Sequence, residues 1–163
     1  MSAVRVLRHL FATGWRLRRV FDDETLRVIE ETIAEGERTH GGEIRFAVEA
    51  NLSAAELLRG LTPRERALQA FAQLGVWDTE ANNGVLIYVL WADHDVEIVA
   101  DRGLNGRVSA EQWTEVCHGM ESLFRQGNAR QAAVEGVRAT SALLAQHFPF
   151  FDRNELPDRP VIL

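Results

Sequence analysis

The apolar residues of this chain recur with two periods, and the switches between them mark out helices and strands. Residues 3–13 place Val6, Leu7, Leu10 and Phe11 on one side of a short helix. A second helix opens at Asp22 or Asp23, where a carboxylate suits the positive end of the helix dipole. Leu26, Ile29 and Ile33 form its buried stripe. His40-Gly41-Gly42 is expected to end it, since glycine suits a left-handed C-cap. Glu43-Ile44-Arg45-Phe46-Ala47-Val48-Glu49 then alternates, which predicts a strand with Ile44, Phe46 and Val48 on one face.

Capping signals punctuate the middle of the chain. Ser53-x-x-Glu56 predicts a short turn of helix. Thr62-Pro63-Arg64-Glu65 predicts a longer helix with Leu68, Phe71 and Ala72 as its apolar face. Val85 to Trp91 is continuously apolar, as in a central strand covered on both faces. Asp93-His94 makes a turn, and Asp95 to Asp101 returns as a strand with Val96, Ile98 and Ala100 on one side.

Ser109-x-x-Gln112 caps a long helix that carries Trp113, Val116, Cys117, Met120, Leu123 and Phe124. Gly127-Asn128 breaks it, and a last helix over about 129–147 buries Ala133, Val137 and Leu144. The tail from Pro149, with Pro157 and Pro160, is expected to run extended over the surface.

A strand–helix–strand crossover followed by a hairpin gives a small mixed sheet with helices on both faces. The expected class is α/β, a three-layer α/β/α sandwich. A length of 163 residues suits one domain over 1–163: a basic N-terminal helix at 1–14, a core at 15–148 and an extended tail at 149–163.

Charge narrows the partners. Residues 1–21 hold Arg5, Arg8, Arg16, Arg18 and Arg19 and no acid, so with a net charge of −6 the rest carries −11. An acidic body argues against nucleic acid, whose binding is driven by phosphate neutralisation. The basic helix suggests contact with a protein partner or a membrane surface through those five arginines. The plainer reading, a helix packed on the domain with solvated arginines, is favoured for so short a segment. All 18 basic residues are Arg, which reads as coding composition rather than function. No apolar run reaches the roughly 18 residues that suggest a transmembrane helix. No signal-peptide h-region forms, so the default location is the cytoplasm, peripheral at a membrane surface if the basic helix docks there.

Candidate chemistry is sparse. Cys117 is the only cysteine, which excludes an intrachain disulfide and a Cys₄ zinc site. Within an apolar helical stripe it reads as a small buried hydrophobe, and the adjacent His118 points to another face. Glu115-x-x-His118 lacks the companion motifs of a di-metal helix bundle and reads as exposed. No Walker loop, dinucleotide fingerprint or Gly-x-Ser-x-Gly elbow occurs, so no organic cofactor is expected. The loop Trp77-Asp78-Thr79-Glu80-Ala81-Asn82-Asn83-Gly84 is rich in oxygen ligands. Hairpin geometry should bring Asn82 and Asn83 beside Asp101 and Arg102-Gly103. Asp78, Asn82, Asn83 and Asp101 together could bind Ca²⁺ or Mg²⁺. Alternatively, Asn-Gly is turn chemistry alone.

The run Asn82-Asn83-Gly84-Val85-Leu86-Ile87 resembles the TPM domain, the family of thylakoid-lumen acid phosphatase-like and Psb32-like proteins. Glu43 to Val48 resembles its first parallel strand and Asp95 to Gly103 its returning strand. Phe124-Arg125-Gln126-Gly127-Asn128 resembles the Phe-Arg-x-Gly segment between its last two helices. The similarity covers about residues 15–148. It implies an α/β/α sandwich, a divalent-cation site in loops at one sheet edge, and phosphatase activity as proposed for plant members. Bacterial relatives mostly lack an assigned reaction, so two functions are open: a non-catalytic interaction or membrane-protein-assisting domain, or a metal-dependent phosphatase-like hydrolase. Family members usually open with a strand that ends in Asp-Asp. Here Arg16 to Phe21 takes that place, and the acids follow at Asp22-Asp23.

Overall fold

A computed structural model describes residues 3–150 and 153–163. Helices α1 (Ala3–Phe11), α2 (Gly14–Val20) and α3 (Asp23–Glu37) lead into strand β1 (Glu43–Glu49). Helices α4 (Ala54–Leu58) and α5 (Pro63–Gln73) cross over to β2 (Gly84–Leu90), which pairs with β3 (Asp95–Ala100). Helices α6 (Ala110–Arg125) and α7 (Ala129–His147) follow, and the chain returns as β4 (Val161–Ile162).

The sheet order is β3-β2-β1-β4. β1 and β2 run parallel over seven residue pairs from Glu43 and Gly84 to Glu49 and Leu90. β3 returns antiparallel to β2. Side chains alternate between two cores, as the period of a strand demands. Ile44, Phe46, Val48, Val85, Ile87, Val89, Val96 and Ile98 face α2, α3, α6 and α7. Ala47, Leu86, Tyr88, Leu90 and Val99 face α4, α5 and Leu156 of the tail. The molecule is thus an α/β fold with a helical layer on each face of a mixed sheet.

The structure departs from the sequence reading in four places. Arg16 to Val20, where the family resemblance places a strand, is part of α2, capped by the Thr13 hydroxyl and anchored by the fully buried Leu17. The end of α3 falls at Glu37 with Arg38 in a right-handed conformation, so Gly41-Gly42 is not the C-cap. Gly42 is small for packing: a Cβ there would lie 2.8 Å from a Leu144 methyl carbon. On α5 the inward face is Arg66, Ala67 and Ala70, whereas Leu68 is 48% exposed. Small residues let that helix approach the sheet closely, and the larger apolar side chains sit at its flank. Finally, the tail does not only run over the surface. Val161 and Ile162 pair parallel with Ala47 and Val48 and add a fourth strand.

Candidate functional site

Asn82-Asn83-Gly84 takes its conformation from three separate constraints. Asn82 has φ 52°, a left-handed conformation that asparagine tolerates better than most residues. Gly84 has no room for a side chain, because a Cβ would fall 2.0 Å from the Val76 carbonyl oxygen. Asn83 is buried, and its side-chain amide donates to the Gly41 carbonyl. Its backbone N–H donates to the Thr79 hydroxyl at 3.1 Å.

The hairpin brings the far end of β3 to this loop. Gly103 N–H donates to the Asn82 carbonyl at 2.8 Å, and Asp101 N–H donates to the Gly84 carbonyl at 2.9 Å. Gly103 also permits a close approach, since a Cβ there would lie 2.4 Å from the Asn82 oxygen. Asp101 accepts from Arg102 N–H at 2.7 Å through one carboxylate oxygen. Arg102 in turn donates from Nε to the Asn82 side-chain oxygen at 2.8 Å.

Two buried oxygens at this edge have no partner, Asp101 Oδ2 and Asn83 Oδ1. Asp78 is exposed in the turn after α5, and among the described residues no hydrogen bond or ion pair joins its side chain to the other three. The set therefore offers one free carboxylate oxygen and one free amide oxygen beside a guanidinium that already holds Asn82. A Ca²⁺ cage uses six to eight oxygens, whereas Mg²⁺ keeps much of its water and uses one or two carboxylates. The residues fit a hydrated cation better than a cage. Among the described residues, no three His, Cys, Asp or Glu side chains are grouped to hold a metal.

At the opposite end of the sheet, where β1 and β2 finish, α1 docks through one carboxylate. Asp93 receives Arg5 Nε at 2.9 Å and lies 3.5 Å from an Arg8 nitrogen and 3.2 Å from His9 Nε2. The buried His9 accepts the Leu52 N–H at its other nitrogen at 3.0 Å. The polar side of α1 is thus turned inward. Val4, Leu7, Leu10 and Phe11, together with Trp15 of α2, are each 53–65% exposed. Arg16, Arg18 and Arg19 are exposed beside them, and the Arg19 guanidinium stacks 4.0 Å over Trp15. A groove lined by Leu7, Phe11, Trp15, Arg19 and Trp91 runs between these helices and the β2–β3 turn.

A third cluster escaped the sequence reading. Glu37, His40 and Glu43 are buried beside Asp158 at the start of β1. The Glu37-x-x-His40-x-x-Glu43 spacing was the available signal, hidden because His40-Gly41-Gly42 reads as a helix terminator. Cys117 and His118 behave as the sequence indicates: burial first, then the Glu97 and Glu121 charges, push the thiol up to about 12. His118 and Glu115 are exposed.

An α/β/α layer order, with loops gathered at the entry to β1 and β2 around an Asn-Asn-Gly turn, defines a class of domain rather than an enzyme type. The chain belongs to the TPM domain family, whose profile matches residues 17–143. It is similar to the BA42 protein of the psychrophilic bacterium Bizionia argentinensis, at 31% identity and a TM-score of 0.72. That match covers 85% of this chain and 92% of the other. The N-terminal domain of a protein from P. gingivalis shares the fold at 20% identity and a TM-score of 0.63, covering 82% of each chain. No functionally curated protein matches the sequence.

Proposed function

We propose that this TPM domain is a non-catalytic docking module that places α1 and α2 on an anionic membrane surface. One observation carries the reading. Five large apolar side chains on two consecutive helices point to solvent among exposed arginines, while Asp93 takes the inward polar groups. Apolar residues in such an array are unusual on a monomer surface and suit an interface. An interfacial helix combines apolar insertion with cationic attraction, worth about 1 kcal/mol per arginine near anionic lipid. No helix among the described residues is long and apolar enough to cross a membrane. Docking there fits a cytoplasmic domain that assists membrane proteins.

Co-sedimentation with vesicles of phosphatidylserine and phosphatidylcholine tests this. Binding is expected to the anionic vesicles and to fall at least tenfold in the double variant Arg16→Glu, Arg19→Glu. Equal sedimentation with neutral vesicles, or none with either, would end the proposal.

The unpartnered Asp101 and Asn83 oxygens favour a second reading, a divalent-cation site at Asp78, Asn82, Asn83 and Asp101 of a phosphatase-like hydrolase. A bound ion would polarise a phosphoryl oxygen. Calorimetric titration with Mg²⁺ and Ca²⁺ on wild type and Asp101→Ala decides it, with no wild-type heat as the adverse result.

A further inference from the structure

Beyond the Asn83–Gly41 contact lies a cavity of about 240 Å³ between the end of α3, the start of β1 and the 154–158 segment. Its wall includes Glu37, Arg38, His40, Glu43, Asn154 and Asp158. Glu37, His40 and Glu43 are 6%, 1% and 3% exposed, which is deep burial for three polar residues. Glu37 accepts the Ile44 N–H at 2.8 Å through one oxygen, and Glu43 accepts the Leu156 N–H at 3.0 Å. The second Glu37 oxygen faces the Asp158 carboxylate, and the Gly42 backbone holds one nitrogen of His40, which leaves the other nitrogen without a partner. Buried polar groups are nearly always hydrogen-bonded, so an unpartnered histidine nitrogen among buried carboxyl groups points to something that completes it.

We propose that this cavity binds a small organic cation through a primary ammonium or guanidinium group. Glu37, Glu43 and Asp158 place three carboxyl groups around one space, against the single guanidinium of Arg38 on the wall. Arg45 lies on the far side of Asp158, where its guanidinium is held by the Pro157 and Arg159 carbonyls that flank that residue. An anion would meet carboxylates, and an apolar ligand would leave the His40 nitrogen unsatisfied. A metal ion needs its ligands within about 2.0–2.6 Å of one point, and among the described residues no three such groups are placed that way. An ammonium or guanidinium spreads three to five N–H donors over a wider span and tolerates that spacing. The volume holds roughly eight water-sized groups, which is the scale of one amino-acid side chain or a short amine.

The electrostatics agree with the geometry. Burial first, then the Glu43 and Asp158 charges, raise the Glu37 carboxyl to about 8. Burial lowers the His40 imidazole below its ordinary value, partly offset by the Gly42 backbone beside it. A cation entering the cavity would favour the ionised form of Glu37 and draw its carboxyl back down.

Calorimetric and ¹H–¹⁵N NMR titrations of the full chain with methylammonium, methylguanidinium and agmatine test the proposal. At least one probe is expected to saturate, shifting the Ile44, Leu156 and Asn154 amide signals. Asp158→Asn, on the partly exposed tail, and Glu37→Gln, which keeps an oxygen for the Ile44 amide, should each weaken binding at least tenfold. Circular dichroism on both variants confirms that they remain folded. Saturation by none of the three probes, shifts confined to other amides, or undiminished binding in both folded variants overturns it. So does saturation of the same amides by Mg²⁺ or Ca²⁺ alone.

Discussion

The side-chain amide of Asn83 donates to the backbone carbonyl of Gly41, tying the entry of β2 to the entry of β1. The two residues are 42 positions apart, and the bond is buried. Asn83→Ala leaves the Gly41 carbonyl without that donor and is expected to cost about 1–3 kcal/mol. Gly84→Ala should cost more, because its Cβ meets backbone rather than a movable side chain. Urea denaturation of both variants measures the order.

On the opposite sheet face, Glu49 accepts from Arg66 Nε at 2.8 Å, from a second Arg66 nitrogen at 3.0 Å and from the Tyr88 hydroxyl. Burial is the largest influence on Tyr88, and it raises the phenol pKa further above the ordinary range together with the Glu49 charge. Arg66→Met alone strands a buried carboxylate and should destabilise by about 3–5 kcal/mol. The pair Glu49→Gln, Arg66→Met should lose less than the two single losses summed. A double-mutant cycle in urea reads the coupling.

Glu37 makes stability pH-dependent with a definite sign. Its carboxyl is raised from 4.5 to about 8, so between those values the folded chain holds a proton that the unfolded chain has released. Stability from this group therefore falls as pH rises from about 4.5 to 8, by an amount on the order of a few kcal/mol. Asp95, raised to about 6 chiefly by burial, acts in the same direction over a lower window. Glu37→Gln should flatten the upper part of the profile in denaturation midpoints taken across pH 5–8.

Asp93 is the polar anchor of α1. Asp93→Asn removes the charge that meets Arg5, Arg8 and His9. Amide hydrogen exchange in residues 4–11 should then quicken at least tenfold, while the amides of β1 and β2 remain protected.

Cys117 should be slow to alkylate. Raising the thiol to about 12 from a reference of 9.0 lowers the thiolate fraction by roughly a thousandfold at pH 8. Iodoacetamide labelling of native chain is expected to lag the unfolded chain by two to three orders of magnitude.

Local chemistry made much of this fold legible. The capping boxes at Ser53, Thr62 and Ser109 all form as written, and the apolar run of β2 is buried throughout. What escaped depends on distant chain. The two residues of β4 are too few to show a period, and only their pairing with Ala47 and Val48 makes them a strand. Arg66 reads as a solvated helix residue until Glu49 and Tyr88 are seen beneath it. Glu43 looks like the outward side of an alternating strand, yet it is buried by a segment whose Leu156 amide lies 113 positions later. The Asn-Asn-Gly turn is visible because its residue types announce a turn by themselves, whereas the cavity beyond it is assembled from two segments far apart in the chain.

The short returning strand also alters how this protein meets copies of itself. Without Val161–Ile162, the outer side of β1 would present open backbone donors and acceptors to any passing strand. Two paired residues, the following Leu163 N–H bound to the Val48 carbonyl at 3.0 Å, and Arg45 gripping the preceding turn close that side. Those few contacts are what guards this edge against edge-to-edge stacking.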